Sequence, residues 1–128
     1  KVTAQLLEDP NPRVRWAAVE TLGKLEPAAL GEHARVIAKL LEDEYPYVRW
    51  AALNTLGELE PALLAANRRV IEQRLRDSDS YVRWAAVQTL GKLEPAVMAE
   101  HERDLLQQLE HEDPRLHWVA WDVLDQFD

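Results

Sequence analysis

The sequence predicts an all-α protein in which four similar helix pairs are stacked one on the next. The segment VRWAAVETLGKLEPAAL at residues 14–30 recurs with few changes at 48–64 and 82–98, and a diverged copy, LHWVAWDVLDQF, occupies 116–127. The copies begin at 14, 48, 82 and 116, a constant spacing of 34 residues. Apolar residues within each unit follow helical spacing, and a period of this size is typical of a solenoid, in which each unit packs mainly on its neighbours.

Each unit is predicted to contain two helices, as the second unit illustrates. Its first helix is predicted from Pro27 to about Glu42, because proline is tolerated in a first helical turn. A short acidic turn leads to the second helix, predicted from about Tyr47 to Leu59. Gly57 falls in the last turn, where the missing side chain permits close approach of another helix. The same division gives about eight helices in four units: 1–26, 27–60, 61–94 and 95–128.

The composition of the chain excludes several kinds of site and limits the partners that it can bind. The chain has no cysteine, which excludes disulfides, thiolate metal sites and thiol catalysis. Its formal net charge of −8 disfavours nucleic acid, which selects a basic surface, and favours a basic peptide or protein. No apolar run approaches the ~18 residues that a membrane span needs. No signal peptide precedes Lys1 and there is no initiator methionine, so we expect part of a longer or processed protein, located in the cytoplasm.

The spacing of the residues that recur from unit to unit identifies the type of repeat. The tetratricopeptide pattern W-x2-L-G-x2-Y fits poorly, because Leu22 and Gly23 come three positions too late after Trp16. The pattern D-x4-V-R-x2-A, followed by L-G, begins at Asp9 and recurs from residues 43 and 77. It resembles the HEAT-repeat family, particularly the short units of bilin lyase-type proteins and of artificial HEAT-like binding scaffolds. The resemblance covers essentially the whole chain and implies a right-handed α-solenoid.

The same resemblance implies a ladder of hydrogen bonds between aspartate and arginine side chains along the stack. The positions that match are Asp9, Asp43, Asp77, Arg15, Arg49 and Arg83. In the fourth unit His111 and His117 occupy the corresponding positions, so the ladder is expected to stop at the third unit. Terminal units of a solenoid are expected to be atypical.

The tryptophans of the second helices are predicted to face away from the packed stripe. With about 100° per residue and Val14 at zero, the stripe of Ala18, Thr21, Leu22 and Leu25 lies within about 80°, whereas Trp16 lies at about 200°. The family resemblance implies that second helices line the concave surface. The predicted ladder of indoles, about 10 Å apart, consists of Trp16, Trp50, Trp84 and Trp118.

Polar residues four positions after the tryptophans are predicted to set ligand polarity and register. Trp50 and Asn54 resemble the Trp-x3-Asn array of armadillo-repeat importins, in which asparagine bonds the backbone of an extended peptide. The other units carry Glu20, Gln88 and Asp122 at this position, where carboxylates favour Lys or Arg. Further contact surface is assigned to Tyr47 and Tyr81, and Arg13 and Arg115 at the two ends count against a purely basic ligand.

The predicted function is therefore a non-catalytic module that binds a peptide or protein segment in a tryptophan-lined groove. Three alternatives remain open at this stage. In the first, the tryptophans pack between units or between chains. In the second, the chain is a structural segment of a larger scaffold or self-associates through Trp121 and Phe127. In the third, which the resemblance alone suggests, the chain is a bilin-lyase-like accessory enzyme.

Catalytic, metal and cofactor sites are not predicted. Ser78 and Ser80 lie in one polar turn without a histidine placed beside them, and no glycine-rich phosphate loop is present. The HEAT-repeat enzyme deoxyhypusine hydroxylase holds iron with His-Glu pairs repeated along its stack. Here the pairs at 101–102 and 111–112 are ten residues apart within one unit, which does not match that arrangement.

Overall fold

The computed structural model describes residues 5–96, which form helices and turns without a strand. This confirms the predicted all-α class and a HEAT-type α-solenoid. The residues predicted in the fourth second helix (Arg115, Trp118, Trp121, Asp122 and Phe127) lie outside the described residues. The α-helices are α1 (Pro12–Leu22), α2 (Pro27–Gly31), α3 (Ala34–Lys39), α4 (Pro46–Leu56), α5 (Pro61–Ala66), α6 (Arg68–Gln73) and α7 (Ser80–Gly91), and the 3₁₀ helices are η1 (Leu40–Glu42) and η2 (Arg74–Arg76).

The first helix of the second and of the third unit is divided into three short pieces, so the prediction of one continuous helix over 27–42 was wrong. His33 (φ −106°, ψ 1°) separates α2 from α3, and Asn67 (φ −101°, ψ 8°) separates α5 from α6 at the equivalent position. The amide of His33 donates to the Leu30 carbonyl at 2.9 Å, an i to i−3 bond that tightens the turn. Each first helix then ends as a 3₁₀ turn, η1 or η2, before an extended aspartate.

The second helices α1, α4 and α7 are continuous, and α1 and α7 begin at side-chain caps. The Asn11 side chain accepts from the amide of Arg13 at 2.9 Å, and Asp79 Oδ1 accepts from the Tyr81 amide at 2.8 Å. Helix α4 ends at Leu56, three residues before the predicted end, and the amides of Glu58 and Leu59 then bond carbonyls three residues back. Gly57 is the residue at this C-terminus, with an ordinary helical φ of −63°.

The core lies between the two layers of helices and is largest around α4. Val48, Leu53 and Leu56 are fully buried, and Ile37 and Leu41 of the preceding first helix are buried beside them. Helix α4 packs along its length on both α1 and α7, whereas contacts between first helices of successive units are sparse. The second helices therefore form the more closely packed layer, which we call the inner layer, and the first helices form the outer layer.

Paired arginine and aspartate side chains join each unit to the next. The Arg15 guanidinium binds both carboxylate oxygens of Asp43, at 2.7 Å from Nε and 3.1 Å from Nη2. Arg49 binds Asp77 in the same way, at 2.9 and 3.0 Å. Each arginine also donates from Nη1 to the aspartate carbonyl of its own unit, Asp9 at 2.7 Å and Asp43 at 2.6 Å. One guanidinium therefore fixes the turn of its own unit and the turn of the next.

The aspartates also hold their own turns. Asp43 Oδ1 accepts from the amide of Tyr45 at 3.0 Å, and Asp77 Oδ1 accepts from the amide of Asp79 at 3.0 Å. This side-chain bond to the amide two residues ahead is the usual way in which aspartate stabilises a turn. The hydrogen bond to Asp43 raises the pKa of Arg15.

A second set of links between units is made by threonines of the second helices. Thr89 Oγ1 donates to the Leu53 carbonyl at 3.1 Å, and Thr55 Oγ1 lies 3.4 Å from the Val19 carbonyl. Both threonines are buried. Thr21 is exposed instead and bonds a carbonyl of its own helix. The prediction that this position is buried is confirmed at Thr55 and Thr89 but is wrong at Thr21, and the sequence did not indicate that the hydroxyl reaches the neighbouring unit. Leu25, which was also predicted in the buried stripe of the first unit, is 40% exposed.

Arg49→Ala is expected to lower the free energy of unfolding by about 2 kcal/mol, because it removes the bidentate partner of the buried Asp77 carboxylate and leaves Arg74, at 3.2 Å, as its remaining cation among the described residues. The measurement is urea denaturation followed by circular dichroism at equal protein concentration. The matched control is Arg68→Ala, which removes exposed ion pairs to Glu72 and Glu94 and should leave the midpoint nearly unchanged. Equal losses in the two variants would contradict the structural importance of the buried pair.

Thr89→Val is expected to cost about 1 kcal/mol, because the isosteric side chain keeps the volume but removes a buried hydrogen bond between units. Thr21→Val is the control, since that exposed hydroxyl bonds only within its own helix. Both variants are compared by denaturant midpoint. A Thr21→Val loss as large as that of Thr89→Val would mean that the cost reflects valine in a helix, not the lost bond between units.

Candidate binding surface on the second helices

The tryptophans at the equivalent position of three successive second helices are half-buried. Trp16 lies on α1, Trp50 on α4 and Trp84 on α7. Trp16 and Trp50 pack in part against the hydrophobic core. The indoles are therefore neither sealed from water nor fully extended into solvent, and part of each ring remains accessible.

The accessible part of α4 is narrow. Eight of its eleven residues are buried, on the faces that contact α1, α7 and the first helices. Asn54 is exposed and Trp50 is half-buried, and these two lie about 40° apart on the helix. On α7 the corresponding pair is Trp84 and the exposed Gln88. We call the aligned set the indole stripe, and it consists of Trp16, Glu20, Trp50, Asn54, Trp84 and Gln88.

The two predicted tyrosines do not belong to this accessible surface. Tyr47 is 6% exposed and Tyr81 is 3% exposed. The ring of Tyr47 packs against Tyr45, with centroids 5.6 Å apart and planes tilted by 43°. Both tyrosines lie about 60° from the tryptophan around the helix axis, on the side where the units are in contact. The assignment of contact surface to Tyr47 and Tyr81 is corrected accordingly, because buried rings offer a ligand almost no area.

At the first unit the indole stripe carries charge. Glu20 is half-buried beside Trp16, and Arg13 is exposed at the start of α1, where its amide is bound by the Asn11 cap. Glu20 and Arg13 have opposite charges, so this end of the stripe can contact both acidic and basic groups. Arg115, Trp118 and Asp122, predicted for the other end, lie outside the described residues.

Lys92 adds a contact that the sequence analysis did not identify. Its ammonium group donates to the Gly57 carbonyl of the preceding unit at 3.0 Å. The carbonyls at a helix C-terminus lack partners within the helix and attract cations. The sequence contains a signal for this contact, because the residue after the repeat glycine is lysine in two units, at Lys24 and Lys92. Glu58 occupies the same position in the second unit, and its carboxylate has no proton to donate.

No group of three His, Asp or Glu side chains is arranged to hold a metal ion within residues 5–96. His33 lies half-buried at the break between α2 and α3. No helix in the described part of the chain is both long enough and apolar enough to cross a bilayer.

Comparison with known proteins gives two overlapping family matches. The family described as HEAT repeats matches residues 1–67, which is more than half of the chain. The family described as HEAT-like repeat matches residues 46–93. A search of curated proteins found no match.

Gly57→Ala is expected to be less stable than Gly23→Ala. An added Cβ at Gly57 would lie 2.9 Å from Lys92 Nζ and displace it, whereas the nearest atoms at Gly23 are 3.4 Å away. Because alanine restricts the unfolded chain, the Gly23 variant should be more stable by about 0.5 kcal/mol. The Gly57 variant should instead lose the bond from Lys92 to the Gly57 carbonyl, at a cost of about 1 kcal/mol that offsets this gain. Thermal unfolding of both variants measures the difference.

The Lys92→Ala background provides the control for this pair. Without the lysine, Gly57→Ala should become as favourable as Gly23→Ala, because the obstructing ammonium group is gone. If the gap between the two alanine variants persists in that background, Lys92 is not its cause.

Proposed function

Because the chain belongs to the HEAT-repeat family, whose repeats commonly serve as scaffolds for protein interactions, we propose that it is a non-catalytic module that binds an extended peptide or protein segment along the indole stripe. The observation that carries the proposal is the half-burial of Trp16, Trp50 and Trp84 at one repeat position. Trp16 and Trp50 pack in part against the core, and each of the three side chains keeps an accessible part. Aromatic rings supply contact area at a low cost in conformational entropy.

The stripe suits a ligand in extended conformation. Successive second helices are about 10 Å apart, and an extended chain advances about 3.3 Å per residue, so about three ligand residues span one unit. Asn54 and Gln88 are exposed amides that both donate and accept hydrogen bonds, as a peptide backbone requires. A ligand side chain between two amides then lies near an indole face.

The ligand is expected to carry a basic residue over the first unit. Glu20 supplies a carboxylate beside Trp16, and the aliphatic part of Lys or Arg can lie on an indole while its charge gains about 0.5–2 kcal/mol from the ring. The chain's net charge of −8 attracts a basic segment at long range. Over the second and third units the amides Asn54 and Gln88 favour neutral contacts.

The two other functions considered from the sequence have no comparable support. Self-association through Trp121 and Phe127 concerns residues outside the described part of the chain. The bilin-lyase alternative rests on the resemblance between repeats, and the family matches concern HEAT repeats in general. Neither alternative accounts for the accessible indoles beside exposed amides.

Trp84→Ala is expected to weaken binding of an extended basic-neutral peptide by about tenfold or more, the usual cost of removing a central aromatic contact. Asn54→Ala should weaken it by about fivefold, through loss of one hydrogen bond. The probes are three labelled peptides of one length, in which the first position is Lys, Ser or Glu, and fluorescence anisotropy gives each affinity. The Lys peptide should bind best.

Arg69→Ala, an exposed change on α6 of the outer layer, is the matched control and should leave peptide affinity unchanged. Circular dichroism on each variant establishes that the helices persist. Failure of all three peptides to bind, or an equal loss on Arg69→Ala, would overturn the assignment to the indole stripe. An affinity independent of the first position would remove the role given to Glu20.

A further inference from the structure

A cleft opens on the outer layer, between the first helices of the second and third units. It has a volume of about 170 Å³ and lies between α3 and α6. Its walls are apolar: Leu41 is buried, and Ala38 and Val70 are half-buried. The sparse contact between first helices of successive units leaves this space open, whereas the second helices close on the inner side.

Three cations line the cleft in a chain whose net charge is −8. Arg35 and Lys39 are exposed, four residues apart on α3, and make no hydrogen bond or ion pair with any described residue. Arg74 begins η2 at the other side. One acidic residue, Glu42, also lines the cleft. The local excess of positive charge therefore opposes the charge of the whole chain.

Arg74 is held in place more firmly than the other two. Its Nη1 donates to the Leu41 carbonyl at 3.1 Å and to Asp77 Oδ2 at 3.2 Å. Its Nε–H is buried and has no acceptor among the described residues. Buried N–H groups are normally bonded, so a cleft residue fixed in this way lacks one oxygen partner.

We propose that this cleft binds the side-chain carboxylate of an Asp or Glu that is flanked by an aliphatic residue on a protein partner. The carboxylate pairs with Arg35, Lys39 and Arg74, and the aliphatic group contacts Ala38, Leu41 and Val70. This site is independent of the indole stripe, which lies on the opposite layer and favours a basic segment.

The size and charge of the cleft select this ligand over others. Sites for cofactors and drug-sized molecules are usually about 300–1,000 Å³, larger than the volume here, which suits one or two side chains. A phosphate dianion fits less well, because Glu42 repels its second negative charge as well as its first, and because phosphate has no carbon group to contact Ala38, Leu41 and Val70. A single carboxylate on an apolar side chain can pair with the cations of the cleft and contact its apolar walls at the same time.

The test uses a capped peptide with Leu-Glu-Leu at its centre, the matched Leu-Gln-Leu peptide, and inorganic phosphate. Each is titrated into protein carrying ¹⁵N-labelled arginine, and the Arg74 Nε–Hε resonance is followed by nuclear magnetic resonance. Only Leu-Glu-Leu should shift that resonance in a saturable way. The double variant Arg35→Gln/Lys39→Gln should weaken the binding by about tenfold, as expected when two charged contacts are lost.

Two controls separate this site from others. Arg69→Gln removes an exposed cation of α6 that does not line the cleft and should leave the affinity unchanged. Trp84→Ala should also leave it unchanged, whether or not the indole stripe binds basic peptides. Binding of Leu-Gln-Leu or phosphate as strong as that of Leu-Glu-Leu, no shift with any probe, or an equal loss on Arg69→Gln or Trp84→Ala would overturn the proposal.

Discussion

The bidentate pairing of an arginine in one unit with an aspartate in the next is the interaction on which the described stack depends. Hydrophobic packing brings successive second helices together, but it is not directional. In the pairs Arg15–Asp43 and Arg49–Asp77, two nitrogens of the guanidinium bind the two oxygens of the carboxylate. The same guanidinium also binds a backbone carbonyl in the turn of its own unit. The relative position of neighbouring units is therefore set at each step by one planar group.

This arrangement covers most of the surface of α4, the second helix that has a described neighbour on both sides. Helix α4 contacts a neighbour on either side and the first helices behind it, so only a row containing Trp50 and Asn54 remains accessible. The outer layer is less tightly packed, and it leaves a cleft between α3 and α6. The accessible surface of α4 is thus a narrow row, whereas the outer layer is open at this space between the second and third units.

The sequence predicted the features that depend on period and on residue type within one helix. The 34-residue spacing gave the helix pairs, and helical spacing gave the buried stripe through Val48, Ala52 and Leu56. It did not predict the break at His33, although Gly31 ends the helix before it, nor the burial of Tyr47. The burial of Tyr47 depends on the position of the neighbouring unit. The reach of Thr89 and Lys92 into the preceding unit is of the same kind, since a repeat pattern describes each unit singly.

Differences between the copies matter most where packing does not constrain them. Leu22, Leu56 and Leu90 occupy one core position without change, because each fills the same space between units. The accessible position four residues after each tryptophan carries Glu20, Asn54 and Gln88. Identical units would offer a ligand several equivalent registers, shifted by one unit and equal in energy. A stripe with a carboxylate at one end and amides further along removes that degeneracy, because a ligand moved by one unit places its charged group opposite an amide. In the proposed function, specificity of register would arise from a few accessible residues, while the shared core and the arginine–aspartate pairs join the described units in the same way.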